Sequence, residues 1–231
     1  MCVLSIIIPS YNRESFLLER INEISSLKDV KVIVIDDFSQ NIYQDLTQKN
    51  IILIRNNSNK GRGSSILKAL REVKTKFVSI FDDDDPINSK NLNLIIEKLK
   101  DLDQKSIGIV AEAGLNNIPL KEKFDSYIYV RFKTKWKDRK EFVKTDVLKK
   151  SIPFWLKGRR IPTSFLFSLC DQNGLYWNYY NIDVIKKNYS EGGMTSQLMK
   201  NPFKKSIFIS LLFLIYRKYK LFIYEIFKAR N

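Results

Sequence analysis

Four consecutive aspartates, Asp82–Asp85, have the residue type and spacing best suited to chemistry in this sequence. They directly follow an apolar, aromatic stretch, FVSIF (residues 77–81), that predicts a buried β-strand. Adjacent carboxylates repel one another, and such a cluster is tolerable at a strand end when it holds a cation. Closely spaced aspartates supply the hard oxygen ligands that Mg²⁺ and Mn²⁺ take. A solvated acidic turn closed by Pro86 would explain the same run, so both interpretations stay open.

Polar residues also follow two other predicted strands, at the points where those strands end. Val3–Ile8 is followed by the turn residues PSYN (9–12), and Lys31–Ile35 is followed by Asp36 and Asp37. Ligands of open α/β sheets bind outside the carboxyl ends of the strands, so these segments should meet at one edge. A tyrosine that can stack on a base, carboxylates that can accept from a base or ribose, and a metal-binding aspartate pair together describe a nucleoside diphosphate site.

The remaining sequence predicts alternating strands and helices. Apolar residues at helical spacing indicate a helix over 14–27, and the charge-rich stretch 136–150 indicates another. Further helices are expected at 42–48, 66–73 and 90–102, and further strands at 51–54, 107–115 and 127–132. The order βαβαβαβα implies right-handed crossovers and a mostly parallel, twisted sheet flanked by helices, which is an α/β fold.

A polar, glycine-containing connection, NNSNKGRGSS (residues 56–65), precedes the helix expected at 66–73. Two glycines and two basic residues at a helix N-terminus could approach a phosphate. The spacing matches neither a P-loop nor the pattern G-x-G-x-x-G, and a flexible, solvated loop is the commoner explanation.

Composition limits the kind of enzyme that this chain can be. The 231 residues can bury one good core, and a hydrophobic content of 44% argues for a folded globule. Histidine is absent, which excludes Ser-His-Asp and Cys-His catalysis and His-ligated zinc. Two cysteines are too few for a disulfide framework, and the sequence starts with a strand instead of a signal peptide, so a cytoplasmic location is expected.

The net charge of +15 comes entirely from the second half of the chain. Residues 1–115 contain 16 Lys+Arg and 16 Asp+Glu, whereas residues 116–231 contain 24 and 9. Such a surface favours nucleic acid, an anionic membrane or a phosphorylated substrate as partner. Nucleic acid is the weakest of these, because the aspartates at the strand ends would repel phosphate and no nucleic-acid-reading motif is visible.

The motifs and their order resemble family 2 glycosyltransferases, which have the nucleotide-sugar-binding GT-A fold. The matching segments are SIIIPSYNR (5–13), VIDDFS (34–39) in place of the family's usual DDGS, the N-x-G of residues 59–61, and FDDDDP (81–86) at the position of the D-x-D motif. They lie in the family's order and spacing over roughly the first 100 residues, and this combination is far more specific than any one motif.

The resemblance implies a nucleotide-binding role for residues at three strand ends and in the connection at residues 56–65. They are Pro9, Tyr11, Asn12, Asp36, Asp37, Gly61, Asp82 and Asp83. The turn residues after the first strand would line the base and ribose, and Asp37, with Asp36 beside it, would contact uracil or another base. Structural roles compete with these, since Pro9 can simply end its strand, Tyr11 can belong to the core and Asp36 can cap a helix.

The resemblance also implies a divalent metal, Mn²⁺ or Mg²⁺, as cofactor. Asp82 and Asp84 match the two aspartates of D-x-D, with Asp84 as the direct ligand and Asp83 or Asp85 near the ribose. The metal would bridge the two phosphates of the donor and stabilise the charge on the leaving diphosphate.

The general base of the family has no match in this sequence. The segment KGRRIPTSFLFSLC (157–170) resembles the family pattern phenylalanine, isoleucine, proline, glutamate, but Thr163 stands where the glutamate is expected. A threonine cannot act as a general base at neutral pH. The base could be another acid, the acceptor could be an already nucleophilic group such as phosphate, or activity could be lost. The candidate acids are Asp171, Asp138, Glu141 and Asp146, each of which is also an ordinary ion-pair partner in so basic a neighbourhood.

The end of the chain indicates a membrane-surface segment. The apolar run IFISLLFLIY (207–216) is about half of the ~20 residues that span a bilayer, and Arg217, Lys218 and Lys220 follow it. One or two amphipathic helices on an anionic membrane face fit this pattern, and a helix packed on protein is the alternative. We therefore divide the chain into a nucleotide-sugar-binding half (1–115), an acceptor-binding half (116–201) with a glycine loop at residues 192–193, and a basic amphipathic tail (202–231).

The sequence thus predicts a metal-dependent, inverting glycosyltransferase located peripherally on the inner face of the cytoplasmic membrane. It would move a sugar from a nucleotide-sugar, expected to be a UDP-sugar, to a cell-surface glycan such as lipopolysaccharide or to a lipid-linked oligosaccharide. A non-catalytic, membrane-associated partner of another glycosyltransferase is the alternative that Thr163 favours.

Overall fold

The computed structural model describes residues 2–41, 43, 46, 50–112, 121–127, 130, 139–153, 156, 161–172 and 174–185, which all belong to one compact unit, Met1–Lys187. The strands are β1 (Leu4–Ser10), β2 (Val30–Asp36), β3 (Ile51–Arg55), β4 (Phe77–Ile80), β5 (Ser106–Ala111), β6 (Lys121–Phe124), β7 (Lys140–Lys144) and β8 (Tyr176–Tyr180). The helices are α1 (Glu14–Ser25), α2 (Arg62–Glu72), α3 (Ser89–Lys100), α4 (Thr145–Ser151) and α5 (Thr163–Ser168).

The strands form one sheet in the order β3-β2-β1-β4-β7-β5-β8-β6. β3, β2, β1 and β4 pair in parallel, as do β5 and β8, whereas β7 is antiparallel to β4 and β5, and β6 is antiparallel to β8. The sheet is therefore mostly parallel and flanked by helices, which confirms the predicted fold class.

Helices cover both faces of the sheet. The apolar faces of α1 and α3 pack in one core cluster with alternate residues of β1 and β2, such as Ile6 and Val32. Helix α2 contacts β1 and β2 but buries Ile66 and Leu70 outside that cluster, which places it on the opposite face. Strands covered on both sides must be apolar throughout, and β1 is buried along its whole length.

The second half of the chain differs from the sequence prediction. The helix predicted over 136–150 divides into strand β7 and helix α4, because KEFVK fits between β4 and β5 as a ladder partner. The strand predicted over 127–132 is wrong at its described positions, since Tyr127 and Val130 are helical and the Val130 N–H donates to the Ser126 carbonyl (3.3 Å). Tertiary packing overrides β-propensity here, because Tyr127 packs against Trp177, with ring centroids 5.5 Å apart.

Other predicted elements lie partly or wholly outside the described residues. The helix predicted over 42–48 is described only at Tyr43 and Leu46, which are buried and not helical. The glycine loop at 192–193 and the tail at 202–231 are not among the described residues. Within the part of the chain that the structure describes, none of the helices is long and apolar enough to cross a membrane.

Gly108 allows β5 and β7 to approach closely. A Cβ atom built on Gly108 would lie 2.1 Å from the Phe142 carbonyl oxygen and 2.9 Å from the Val143 Cα. Both neighbours are backbone atoms in the middle of the sheet and cannot move independently.

We expect Gly108→Ala to lower the free energy of unfolding by about 3 kcal/mol or more, because overpacking forces the strands apart. Gly174→Ala is the control: apart from its chain neighbours, no atom of the described residues lies within 4 Å of a Cβ built there, and its φ of +78° makes the strain about 1 kcal/mol. Urea unfolding measures both. Equal losses in the two variants would show that the β5–β7 spacing does not depend on Gly108.

Candidate functional site

The aspartate run lies immediately beyond the carboxyl end of β4, beside the ends of β1 and β2. Asp83 and Asp85 are buried, whereas the side chains of Asp82 and Asp84 are 37% and 23% exposed. The Asp37 N–H donates to the Ser10 carbonyl (2.9 Å), which ties the ends of β1 and β2 together. The three polar segments predicted to meet at one sheet edge therefore do so.

Ser10 and Arg13 connect the end of β1 to the aspartates. The Ser10 hydroxyl donates to Asp83 Oδ2 (2.8 Å), and Arg13 Nη1 donates to Asp83 Oδ1 (3.2 Å) and Asp84 Oδ2 (2.6 Å). Burial raises the pKa of Asp83 to about 6, although the Ser10 hydrogen bond and the Arg13 charge both act to lower it. A buried carboxylate of this kind gains stability from additional positive charge nearby.

Two more cations contact the aspartate run. Arg62, the first residue of α2, donates from Nε to Asp82 Oδ1 (3.0 Å). Lys140, the first residue of β7, is almost fully buried and places Nζ 3.2 Å from Asp85 Oδ2 and 3.9 Å from Asp82 Oδ2. With Arg13, these side chains surround four carboxylates with three positive charges.

The donor set at the aspartates fits a divalent metal that also binds substrate. Among the described residues, no group of three or more His, Cys, Asp or Glu side chains is arranged to hold an ion. Asp84 nevertheless has one oxygen, Oδ1, that accepts no hydrogen bond from the described part of the chain. Mg²⁺ and related ions are commonly held by one or two carboxylates together with substrate phosphates and water, so Asp84 with Asp82 supplies an adequate protein contribution.

Asp37 is a structural anchor for the loop at residues 56–65, which leads into α2. Its Oδ1 accepts from Asn56 Nδ2 (2.7 Å) and the Lys60 N–H (2.8 Å), and its Oδ2 accepts from the Gly61 N–H (2.7 Å). Gly61 precedes α2 and has a φ of +81°, a conformation that favours glycine. The buried Asp37 carboxylate thus fixes the position from which α2 and Arg62 start.

Asp36 is buried as well and also has structural partners. Its Oδ1 accepts from the Ser39 N–H (2.8 Å), and its Oδ2 is paired with Arg55. The predicted contact of Asp36 and Asp37 with a base remains a prediction, and these hydrogen bonds are the structural roles observed for both.

The loop after β1 contacts the loop after β2 through Asn12. Its N–H donates to Ser39 Oγ (2.8 Å), and its Oδ1 accepts from the Gln40 N–H (2.8 Å). Pro9 lies within β1, paired with Ile35, while Tyr11 is 46% exposed at the same edge. An exposed tyrosine is available for ligand stacking, whereas Pro9 belongs to the buried strand.

The candidate bases have different surroundings. Asp171 accepts from the Ser126 hydroxyl (2.8 Å), the Tyr127 N–H (3.0 Å) and Trp177 Nε1 (3.0 Å), so it holds the start of the helical turn there. Glu141 is buried in β7 and accepts from the Tyr127 hydroxyl.

Asp146 and Thr163 each lie in the first turn of a short helix. Asp146 lies in the first turn of α4 with its side chain 66% exposed, 4.0 Å from Lys150. Asp138 lies outside the described residues, and Thr163 is the first residue of α5, directly after Pro162.

Arg13 and Lys140 were not among the predicted site residues, and Arg62 was noted only as one of the two basic residues of the loop at 56–65. Arg13, Arg62 and Lys140 each begin a helix or strand or cap one, and no spacing rule connects them to the aspartates. A second buried pair lies beyond β5, where Arg139 Nε is 3.8 Å from Glu112 Oε2. Arg13 lies inside the matching segment SIIIPSYNR (5–13), and Arg62 lies in the polar, glycine-containing connection 56–65.

We expect Asp37→Ala to lower the free energy of unfolding by about 3 kcal/mol, because it leaves two loop N–H groups and Asn56 without their acceptor. Asp84→Ala, with its one ion pair to Arg13, should change it by less than about 1 kcal/mol. Urea unfolding distinguishes the anchor from the candidate ligand, and similar losses in both variants would contradict this assignment.

Comparison with solved structures shows the same architecture in glycosyltransferases. S. aureus TarS 1–349, solved in complex with UDP-GlcNAc, has a TM-score of 0.64 and 19% identity over 92% of this chain and 66% of that chain. A mannosyltransferase from Pyrobaculum calidifontis, solved in complex with GDP-Man and Mn²⁺, has a TM-score of 0.64 and 14% identity over 93% and 64%. At these identities the likeness establishes the fold.

Comparison by sequence gives the family. An uncharacterized protein of Methanocaldococcus jannaschii is 29% identical over 112 residues, and the match covers 44% of this chain and 48% of that relative. This chain thus spans about half the length of that relative and two thirds or less of the two solved structures. The model of glycosyl transferase family 2 matches residues 5–155, more than half of the chain. The chain therefore belongs to glycosyl transferase family 2 and has the GT-A fold.

Proposed function

We propose that this protein transfers a sugar from a nucleotide-sugar, expected to be a UDP-sugar, to a cell-surface glycan or lipid-linked oligosaccharide. One observation carries the proposal: the Ser10–Asp83 and Arg13–Asp84 contacts bring the ends of β1 and β4 together and leave Asp84 Oδ1 available. A hard oxygen beside clustered positive charge is the arrangement that a metal-bound diphosphate requires. The solved relatives named above carry UDP-GlcNAc or GDP-Man with Mn²⁺, which supports the same donor class.

The aspartates and their cations would divide the work of binding the donor. Asp84 and Asp82 would hold Mn²⁺ or Mg²⁺, and the bound metal would stabilise the negative charge of the leaving diphosphate as a Lewis acid. Arg13 and Arg62 are partly exposed at the same place, with side-chain exposures of 34% and 24%. Both can therefore reach the phosphates while their carboxylate partners keep them oriented.

Residues 116–201, the acceptor-binding half, would surround the acceptor group that attacks the sugar. We assign inversion at the anomeric carbon to the reaction on the family resemblance, with the base among Asp171, Asp138, Glu141 and Asp146 or replaced by an acidic acceptor group. Asp171 and Glu141 are already engaged by buried donors. This favours Asp138, Asp146 or an acceptor that needs no base. The same observation favours the second candidate function, a non-catalytic partner of another transferase.

We further propose that residues 1–115 bind the donor, residues 116–201 face the acceptor, and residues 202–231 attach the protein to the inner face of the cytoplasmic membrane. Lysines and arginines near an anionic bilayer each contribute about 1 kcal/mol of attraction. Residues 217–220, RKYK, contain three of them next to an apolar run. No nucleic acid partner is proposed.

Asp84→Ala should abolish metal-dependent binding of UDP or GDP, because it removes the available metal ligand but leaves Ser10 and Arg13 on Asp83. The measurement is calorimetric titration of each nucleotide with and without Mn²⁺. Asp29→Ala, which removes a partly exposed acid paired with Lys100, is the matched control and should bind as the wild type does. Retention of metal-dependent affinity in Asp84→Ala would place the metal elsewhere.

Replacing Arg217, Lys218 and Lys220 with glutamate in the full chain should reduce binding to vesicles that contain anionic phospholipid by about 100-fold, since three attractive charges become repulsive. Co-sedimentation with such vesicles measures the loss, and neutral vesicles are the control. Unchanged sedimentation of this variant, or of a chain truncated after Asn201, would rule out the proposed attachment.

A further inference from the structure

Phe38 adopts a backbone conformation that its side chain disfavours. Its φ is +72°, in the left-handed region where glycine is favoured, and it stands where the family's DDGS motif has glycine. Asn12 is the other described non-glycine residue with positive φ, and asparagine tolerates that region well. A bulky residue in this conformation persists only where the surrounding contacts impose it.

The residues on both sides of Phe38 impose the conformation. The Asp37 carboxylate accepts from the Lys60 N–H (2.8 Å), and the Ser39 N–H donates to Asp36 Oδ1 (2.8 Å). Ser39 Oγ contacts the Tyr43 hydroxyl (2.8 Å) and accepts from the Asn12 N–H (2.8 Å). These contacts would hold a glycine at position 38 equally well, so the loop geometry itself does not require an aromatic ring there.

The ring is exposed and lies beside a cation that other residues hold in place. Phe38 is 47% exposed, the largest value among the exposed large hydrophobic residues of the described chain. The guanidinium carbon of Arg55 lies 5.4 Å from the ring centroid. Arg55 is in turn held by the buried Asp36 carboxylate and by the Ser39 carbonyl (2.6 Å), so a fixed planar cation supports the ring.

The ring lies at the sheet edge that carries the candidate site. Asn12 and Ser39 join the loops after β1 and β2, and an exposed aromatic residue is the chain neighbour of each: Tyr11 beside Asn12, and Phe38 beside Ser39. A flat, exposed and supported aromatic ring suits a flat ligand group, because base–aromatic stacking needs only two π-faces.

We propose that Phe38, supported by Arg55, stacks on the nucleobase of the donor nucleotide. This rests on the proposed function, since it takes the nucleotide to bind at this edge. Stacking on Phe38 contributes affinity without reading the identity of the base, whereas hydrogen bonds would have to supply any preference for uracil or guanine. Phe38 is a binding residue in this account and takes no part in bond breaking.

The decisive variant is Phe38→Gly, because glycine relieves the backbone strain and the variant should fold at least as stably as the wild type. We expect the affinity for UDP or GDP with Mn²⁺ to fall about tenfold or more, while the affinity for pyrophosphate with Mn²⁺, which lacks a base, stays unchanged. Phe38→Tyr should keep the nucleotide affinity. Phe16→Ala removes a comparably exposed aromatic from α1 and should have no effect.

A second measurement detects stacking directly. In Phe38→Trp, addition of UDP with Mn²⁺ should quench indole fluorescence beyond the change seen in the wild type, and pyrophosphate should not. Unchanged UDP affinity in Phe38→Gly, or equal losses for UDP and pyrophosphate, would overturn the stacking role and leave the proposed function standing. Failure of the wild-type protein to bind any nucleotide would overturn both.

Discussion

Four carboxylates can lie side by side at the end of a buried strand only if positive charge balances them, and this constraint organises the candidate site. Arg13, Arg62 and Lys140 provide that charge from the start of α1, the start of α2 and the start of β7. Each of these elements begins at the same edge of the sheet, so three distant parts of the chain are fixed relative to the aspartates. Four negative and three positive charges leave the cluster close to neutral but still attractive to a cation.

The same constraint explains why the neighbouring loops are held so firmly. Arg62 reaches Asp82 because Asp37 fixes the backbone of Gly61, and Asp37 is itself tied to β1 through Ser10. The Ser10 hydroxyl in turn donates a hydrogen bond to Asp83 in the aspartate run. Substrate phosphates entering this network would meet oriented arginines instead of flexible ones, which is the basis of electrostatic preorganisation.

The first half of the fold and the edge that carries the site could be predicted, because their signals are local. The first four strands, β1 to β4, are continuous apolar runs. In three of them, polar residues follow the strand directly in the sequence. β6 and β7, KEKF and KEFVK, lack such a signal, since short strands of mixed polarity are defined by their ladder partners. The pairing of Lys140 with Asp85 across 55 positions likewise depends on topology, and no motif shows it. The positive φ of Phe38 was visible only as a departure from glycine in a familiar motif.

We propose that Asp82 and Asp84, in the aspartate run after β4, would hold a divalent metal together with the diphosphate of a nucleotide. Crystals grown with UDP and Mn²⁺, measured at the manganese absorption edge, test it most directly. We expect one anomalous peak within coordination distance of the Asp84 carboxylate and beside the bound nucleotide. A nucleotide bound without a peak there, or a manganese ion bound away from Asp82–Asp85, would contradict it.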